Sequence, residues 1–165
     1  ALSAYFDKYL VALDVKIKYH MEAKIDNVEY HGIPIKGVLD KVAVYKDYVE
    51  VTDYKTGNPT SQRNKPKLYA SNAKYPDGGD YWRQIVFYKI LCDSDRRHNW
   101  NMTSGTMDFL EPDRKTKDFH QTKYNVSPEQ IEIVGEQIKS TWKGIQNHDF
   151  EKVLKGYNVQ FKKKE

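Results

Sequence analysis

Residues 33–55 consist of two runs rich in β-branched side chains, separated by the polar segment 45–48. This pattern predicts a β-hairpin. With the turn centred within that segment, the four valines of the two strands face each other, and the same register places Asp40 opposite Asp53. Side chains alternate between the two faces of a strand, so Asp40, Asp53 and Lys55 share a face with those valines. The valines are Val42, Val44, Val49 and Val51.

The opposed carboxylates of Asp40 and Asp53 repel each other and lose hydration on a half-buried face, so the fold must compensate them. A divalent cation between them, with Lys55 nearby, supplies that compensation. In the alternative interpretation the register is slipped, and both aspartates bond backbone groups at the ends of a surface hairpin. A lysine two residues after an acid does not decide between the metal site and the slipped hairpin. With this many acids and lysines, chance alone produces the spacing about as often as the sequence contains it. It occurs at Asp14/Lys16, Glu22/Lys24, Asp53/Lys55 and Asp113/Lys115.

The side chains available for such a site favour a hard metal ion. Carboxylate oxygens are typical ligands of Mg²⁺ and Mn²⁺, and the single cysteine, Cys92, excludes a pair of thiolates. A metal of this kind activates water and stabilises charge on a phosphate, while a lysine ammonium steadies the nucleophile or the developing negative charge. In the unslipped register, the hairpin therefore indicates phosphodiester hydrolysis.

Hydrophobic periodicity predicts the remaining elements. These are a helix over 1–13, a strand over 14–28, a helix over 81–93, strands over 102–110 and 118–126, and a last helix from Pro128 to Gln146. Together with the hairpin, this order indicates an α/β fold with a central mixed sheet of about five strands flanked by helices.

Residues 56–80 contain several glycines and prolines and are predicted to form a long loop. The loop has a basic centre at Arg63, Lys65 and Lys67. Because it leaves the hairpin just after Lys55 and returns to the helix over 81–93, we expect it to border the site. Long loops in compact domains are usually functional or mobile.

The composition indicates one domain over residues 1–165, with a net charge of +4 and enough hydrophobic residues, 39%, to form a core. No apolar stretch approaches the roughly 20 residues of a membrane helix, and no secretory leader opens the chain. A single cysteine fits a reducing compartment. We therefore expect a soluble, cytoplasmic protein with no membrane partner. The chain begins at Ala1, as would a domain excised from a longer protein or a processed small protein.

Three short motifs occur in a suggestive order. They are Gly37-Val38-Leu39-Asp40, then Asp53-Tyr54-Lys55-Thr56-Gly57, then Gln84 and Tyr88 within Gln84-Ile85-Val86-Phe87-Tyr88. In this order they resemble the motifs of the PD-(D/E)xK nuclease superfamily. More narrowly, the chain is similar to the RecB-like nuclease domains attached to UvrD/Rep-type DNA helicases, and the resemblance covers about residues 15–147.

The resemblance implies a restriction-endonuclease-like core and metal-dependent cleavage of DNA. It implies that Asp40 and Asp53 are ligands of Mg²⁺ or Mn²⁺, and that the backbone carbonyl of Tyr54 completes the metal site. Lys55 corresponds to the catalytic lysine, which would assist the attack of metal-bound water. Gln84 would position water or substrate.

Gln84 and Tyr88 are four residues apart and therefore lie on one face of the predicted helix. The motif to which they correspond closes the active site and touches DNA or the metal-bound water. The alternative is that they are a core amide and a core tyrosine with satisfied hydrogen bonds. In the loop, Arg63, Lys65 and Lys67 are predicted to contact the phosphates of the DNA backbone.

Two features common among RecB-like nucleases are missing. The helix over 1–13 has no histidine, so either the histidine-bearing helix was left out of this fragment or the site is incomplete. Cys92 alone cannot ligate an iron–sulfur cluster, which predicts a member without one.

Taken together, the residues and the resemblance predict a Mg²⁺-dependent deoxyribonuclease, an exonuclease of RecB-like type. It would process DNA ends in repair or recombination, together with a helicase domain or subunit of the same machine. A non-catalytic nucleic-acid-binding domain with a degenerate nuclease fold is the main alternative, and a purely structural interaction domain is another.

Overall fold

The structure is a computed structural model that describes residues 2–9, 14, 16–113 and 115–149. Its helices are α1 (Leu2–Tyr9), α2 (Asp80–Ser94) and α3 (Pro128–Gln146), with a short 3₁₀ turn at Lys65–Leu68. Its strands are β1 (Lys18–Tyr30), β2 (Ile33–Val44), β3 (Val49–Lys55), β4 (Met102–Phe109) and β5 (Gln121–Asn125). The predicted order of elements is confirmed. Residues 10–13 of the predicted first helix lie outside the described residues.

The five strands form one sheet in the order β1-β2-β3-β4-β5. Strands β1, β2 and β3 are antiparallel neighbours, whereas β3 and β4 are parallel and β5 is antiparallel to β4. Helix α2 connects the two parallel strands. The predicted mixed sheet of about five strands flanked by helices is therefore confirmed, and it is consistent with the restriction-endonuclease-like fold.

The hairpin of β2 and β3 has the predicted register. Val44 pairs with Val49 and Val42 pairs with Val51, so the two runs meet as the alternation of side chains requires. The pairing continues to Lys41 and Thr52, the residues next to the two aspartates. The hairpin brings both carboxylates to the end of the sheet at which β3 finishes.

Helix α2 covers the face of the sheet that carries those valines. Its residues Trp82, Ile85 and Val86 are completely buried and belong to the hydrophobic core. Gly105 of β4 permits the helix to lie close to the sheet, because a Cβ at this position would stand 2.5 Å from Cγ2 of Ile85. Burial on this scale contributes roughly 1.5–3 kcal/mol for each large apolar side chain, so α2 is firmly held in place over β3 and β4.

The clearest differences from the sequence prediction lie at the start of β1 and within the loop over 56–80; the other described ends that differ do so by one to three residues. Strand β1 begins at Lys18 and not at residue 14, because Oδ1 of Asp14 accepts a hydrogen bond from the backbone N–H of Lys16 at 2.9 Å, which forms a turn. The loop over 56–80 contains the 3₁₀ turn, whose two central positions are Pro66 and Lys67. Helix α3 starts as predicted, with a capping box between Ser127 and Gln130.

Helix α1 lies on the opposite face of the sheet from α2. The hydroxyl of Tyr5 donates a hydrogen bond to Oδ2 of Asp108 in β4, a residue that is itself buried. Among the described residues, no helix combines the length and the apolar character that crossing a membrane requires.

Candidate active site

The candidate site lies where β3 ends beneath the first half of α2. Strand alternation puts Asp53 and Lys55 on the face that α2 covers, and one turn of helix brings Gln84 and Tyr88 to the same side of α2. Asp53 is only 2% exposed. The four side chains are linked directly, although the two pairs come from elements separated by the whole 56–79 connection.

Gln84 is the centre of the hydrogen-bond network. Its Nε2 donates to Oδ1 of Asp53 at 2.7 Å, and its Oε1 accepts from Nζ of Lys55 at 2.9 Å. The hydroxyl of Tyr88 donates to the same Oδ1 of Asp53 at 2.7 Å and lies 2.6 Å from Nε2 of Gln84. One amide therefore holds the carboxylate with one end and the ammonium with the other, which fixes both groups relative to each other.

The charge of Asp53 is compensated locally. Lys55 forms an ion pair with Oδ2 of Asp53, and the lysine side chain is 19% exposed. An unpaired carboxylate buried to this degree costs several kcal/mol, so the lysine and the two neutral donors keep the site stable. Burial, and after it the hydrogen bond to Asp53, raises the pKa of Tyr88, which therefore remains a proton donor to the carboxylate.

Asp40 is the second carboxylate at this edge. It is half-buried, and its Oδ2 accepts a hydrogen bond from the backbone N–H of Tyr54 at 2.9 Å. Residue 54 follows Asp53 directly, so this bond ties β2 to β3 just beyond the last paired residues of the two strands, Lys41 and Thr52. The structure thus brings the two predicted acidic residues to one end of the hairpin.

The oxygen atoms present suit a divalent cation of the Mg²⁺ type. Oδ2 of Asp53 is buried, and its contact among the described residues is the ion pair with Lys55, so a divalent cation at this oxygen would share it with the ammonium or displace the ammonium. Within residues 2–9, 14, 16–113 and 115–149, no group of three or more His, Cys, Asp or Glu side chains is arranged to hold a metal ion. Two carboxylates fit Mg²⁺, which usually keeps several waters and takes one or two protein carboxylates together with substrate phosphate oxygens. They do not fit a four-ligand zinc site.

Comparison with known proteins agrees with this geometry. A family model described as the PD-(D/E)XK nuclease superfamily matches residues 2–154. The chain belongs to the PD-(D/E)XK superfamily. The match includes every described element of the fold and all the residues of the hydrogen-bonded cluster.

Among solved structures, the PD-(D/E)XK chain is similar to the crystal structure of SSO0001. The sequences are 16% identical, with a TM-score of 0.46, and the likeness covers 88% of this chain. The chain spans 55% of the length of that structure. No curated protein matches the sequence.

The basic loop of this PD-(D/E)XK chain reaches the cluster through one residue. Nζ of Lys67 lies 5.1 Å from the ring centroid of Tyr81, and Nζ of Lys55 lies 5.2 Å from the same centroid. Arg63 and Lys65 are exposed, and neither side chain makes a hydrogen bond or ion pair with another residue of the described ranges. Lys67 is therefore the member of the predicted basic group that the structure places beside the cluster.

Sequence reasoning overlooked one residue beside the site, Tyr81, and one buried residue on the opposite face of the sheet, Asp108. Tyr81 precedes Gln84 by one turn of helix, and this position places its ring beside the ammonium of Lys55. No local pattern connects Asp108 with its partners Tyr5 and Gln121, which come from distant segments. An acidic residue in the apolar run 102–110 was the only hint that a buried polar contact exists there.

Proposed function

We propose that this PD-(D/E)XK chain is a Mg²⁺- or Mn²⁺-dependent DNA nuclease in which Asp40 and Asp53 hold the metal ion. The observation that supports this most strongly is the link from Asp53 through Gln84 to Lys55. A buried carboxylate, a lysine and an amide are held in one network, and a second carboxylate, Asp40, lies beside it on the neighbouring strand β2. The backbone carbonyl of Tyr54 is the third protein oxygen in this proposal.

The protein side chains have distinct tasks in phosphodiester hydrolysis. A bound divalent cation supplies charge neutralisation for the scissile phosphate and acidifies water. The ammonium of Lys55 orients the attacking water and stabilises the negative charge that develops on the phosphate, which a preorganised cation does at little reorganisation cost. Gln84 keeps that ammonium at a fixed distance from Asp53, and its amide is available to position water or substrate as contacts to Lys55 rearrange.

Contacts to the substrate backbone extend from the site into the basic loop. Lys67 lies beside the cluster, while Arg63 and Lys65 extend into solvent from the same loop. Exposed cations at this position attract phosphates without reading sequence. Tyr88 supports Asp53 and is placed to contribute to the closed wall of the site, because it is 5% exposed.

The motif order also supports a narrower assignment. We infer a RecB-like exonuclease domain that works with a helicase domain or subunit on DNA ends, in repair or recombination, in the cytoplasm. In this proposal the chain needs no iron–sulfur cluster, because Cys92 is its single cysteine and is buried.

The alternative is a nucleic-acid-binding domain that keeps the nuclease fold without activity. One observation favours it: helix α1, where a histidine would be expected, carries none and bonds to the opposite face of the sheet through Tyr5. Such a domain would retain salt-dependent DNA binding through the basic loop but would bind metal weakly.

Metal titration separates the two functions. Mn²⁺ is titrated by calorimetry into the wild-type protein and into the double variant Asp40→Asn/Asp53→Asn, and labelled DNA is then added to the same samples. We expect saturable binding and cleavage in the wild type and the loss of both in the double variant. The matched control is Asp14→Asn/Asp113→Asn, which alters two acids with the same spacing to a lysine and should leave both properties unchanged.

A single variant tests the lysine. Lys55→Ala is expected to abolish cleavage while leaving Mn²⁺ binding largely intact, because the ammonium does not coordinate the metal. DNA binding without metal binding in the wild type would establish the non-catalytic alternative. A wild-type protein that binds neither metal nor DNA would overturn the nuclease assignment and favour a structural interaction domain.

A further inference from the structure

Tyr81 lies between the two lysines that the proposed function uses. Nζ of Lys55 and Nζ of Lys67 are 5.2 Å and 5.1 Å from the centroid of its ring. Both distances fall within the roughly 6 Å at which the quadrupole of an aromatic ring attracts a cation. We propose that Tyr81 is a positioning residue that holds the catalytic lysine and the basic loop together as one unit, an inference that rests on the proposed nuclease function.

The ring of Tyr81 is held in its orientation by a neighbouring aromatic side chain of β4. Tyr81 packs edge-on against Phe109, with ring centroids 6.0 Å apart and planes at 65°. Phe109 is fully buried and pairs with Lys55 across β3 and β4. The residue that supports the ring is therefore also the strand neighbour of the catalytic lysine, which limits how far ring and ammonium can move apart.

The loop is fixed against the same turn of helix. A Cβ on Gly79, the residue before α2, would stand 2.3 Å from the carbonyl oxygens of Pro66 and Lys67, so only glycine permits this close approach. The N–H of Gly79 also donates to the carbonyl of Tyr69 at 2.8 Å. The backbone that carries Lys67 is thus packed on the start of α2, two residues before Tyr81.

An aromatic ring suits this task better than a third carboxylate. Lys55 already contacts Asp53 and Gln84, but its long stem is flexible, and its ammonium has three donors to place. A ring attracts the ammonium without adding negative charge that would repel a phosphate, and it does not require the third N–H of Lys55, which can point at water or substrate. It also offsets part of the repulsion between the two ammonium groups, because both are attracted to the same π system.

The contact is tested with Tyr81→Leu and Tyr81→Phe, measured by kcat and KM on labelled DNA with Mn²⁺. Loss of the ring in Tyr81→Leu is expected to lower kcat about tenfold and to raise KM, because a tenfold change corresponds to about 1.4 kcal/mol, a value between those of exposed and desolvated cation–π contacts. Tyr81→Phe keeps the ring and should stay within about twofold of the wild type. Tyr75→Leu is the matched control, because it removes a lysine–tyrosine contact, with Lys74, that does not touch the cluster.

A double-mutant cycle tests whether Lys67 acts through the ring. Lys67→Met should raise KM in the wild-type background and have a smaller effect when Tyr81→Leu is already present, because the two changes remove the same contact. Additive effects would overturn the part of the proposal that concerns the loop. Wild-type kcat in Tyr81→Leu, or equal losses in the leucine and phenylalanine variants, would overturn the role of the ring.

A second measurement does not depend on cleavage. In the wild type, the ring current of Tyr81 should shift the side-chain NMR signals of Lys55 and Lys67, and these shifts should persist in Tyr81→Phe and disappear in Tyr81→Leu. Absence of the shifts in the wild type would overturn the contact itself. If the wild type shows the shifts but cuts no DNA, the proposed function fails, while the pairing of both lysines with Tyr81 stands.

Discussion

Two buried aspartates lie on neighbouring strands and face opposite sides of the sheet. Asp53 of β3 faces α2 and Asp108 of β4 faces α1, and each is 2% exposed. Each accepts one hydrogen bond from a tyrosine hydroxyl and one from a glutamine amide. The donors are Tyr88 and Gln84 at Asp53, and Tyr5 and Gln121 at Asp108.

The surroundings of Asp53 and Asp108 differ by few residues, but those residues carry charge. Two residues after Asp53 the chain has Lys55, whereas two residues after Asp108 it has Leu110. Asp53 also has a second carboxylate, Asp40, beside it at the strand end. The same three residue types therefore anchor a helix on one face of the sheet and form a candidate reaction site on the other. Only the candidate site adds a lysine and a second carboxylate.

The largest effect should come from exchanging each aspartate for asparagine. Asp53→Asn is expected to reduce cleavage by at least about a hundredfold and to weaken Mn²⁺ binding, because a neutral amide no longer neutralises the cation. Asp108→Asn should keep cleavage within about threefold of the wild type, since its carboxylate lies on the other face. Steady-state cleavage with Mn²⁺ and calorimetry measure both. Normal cleavage by Asp53→Asn would mean that the reaction site is elsewhere.

A smaller effect is expected from the two glutamines. Gln84→Ala removes the link between Lys55 and Asp53 and should lower kcat about tenfold or more, since a misplaced catalytic group is costly. Gln121→Ala removes a similar bond to Asp108 at 2.8 Å and should change kcat little. Single-turnover cleavage measures both, with circular dichroism as a check that each variant folds. Equal losses in the two variants would show that they act through stability alone.

The smallest effect concerns the pH dependence of stability. Burial, followed by the contact with Asp108, raises the pKa of Tyr5 above its ordinary value of 10.0. Above about pH 10 the unfolded chain releases this proton while the folded protein retains it, so the free energy of unfolding decreases as pH rises. Tyr5→Phe should cost about 1 kcal/mol at pH 8 and show a shallower alkaline decline.

Urea unfolding at pH 8 and pH 10.5 measures this change. Tyr124 serves as the internal reference, because burial raises its pKa to about 12 and its contribution to the alkaline decline remains in the variant. An identical pH dependence in Tyr5→Phe and the wild type would contradict the assignment of the decline to the bond with Asp108.

The hairpin and the face that carries the candidate site were predictable because they depend on local alternation. Pairing of Val42 with Val51 followed from the period of two, and the positions of Asp40, Asp53 and Lys55 followed from the pairing. The spacing of acid and lysine was not sufficient, since Asp14 and Asp113 use the same spacing to accept backbone N–H groups in turns.

The remaining contacts depend on chain segments that no local pattern connects. Tyr5 and Asp108 are 103 positions apart, and neither has a neighbour in sequence that indicates the other. Lys67 meets Tyr81 because the 3₁₀ turn packs on Gly79, the residue before α2. Only a glycine permits this approach, since a Cβ would collide with the carbonyl oxygens of the turn. Such contacts are decided by packing between elements, so they became visible only in the folded chain.

The parallel arrangement of β3 and β4 also sets an order of assembly. The hairpin that brings Asp40 and Asp53 together closes over a short stretch of chain, whereas α2 lies beyond the 56–79 connection, in the crossover between the two parallel strands. Local contacts form faster than distant ones, so we expect the acidic pair to meet before Gln84 and Tyr88 arrive. During synthesis and refolding, a chain halted between these steps would expose two carboxylates without their amide and phenol partners. If Asp40 and Asp53 hold the metal ion as proposed, free divalent cations would compensate the pair until those partners arrive.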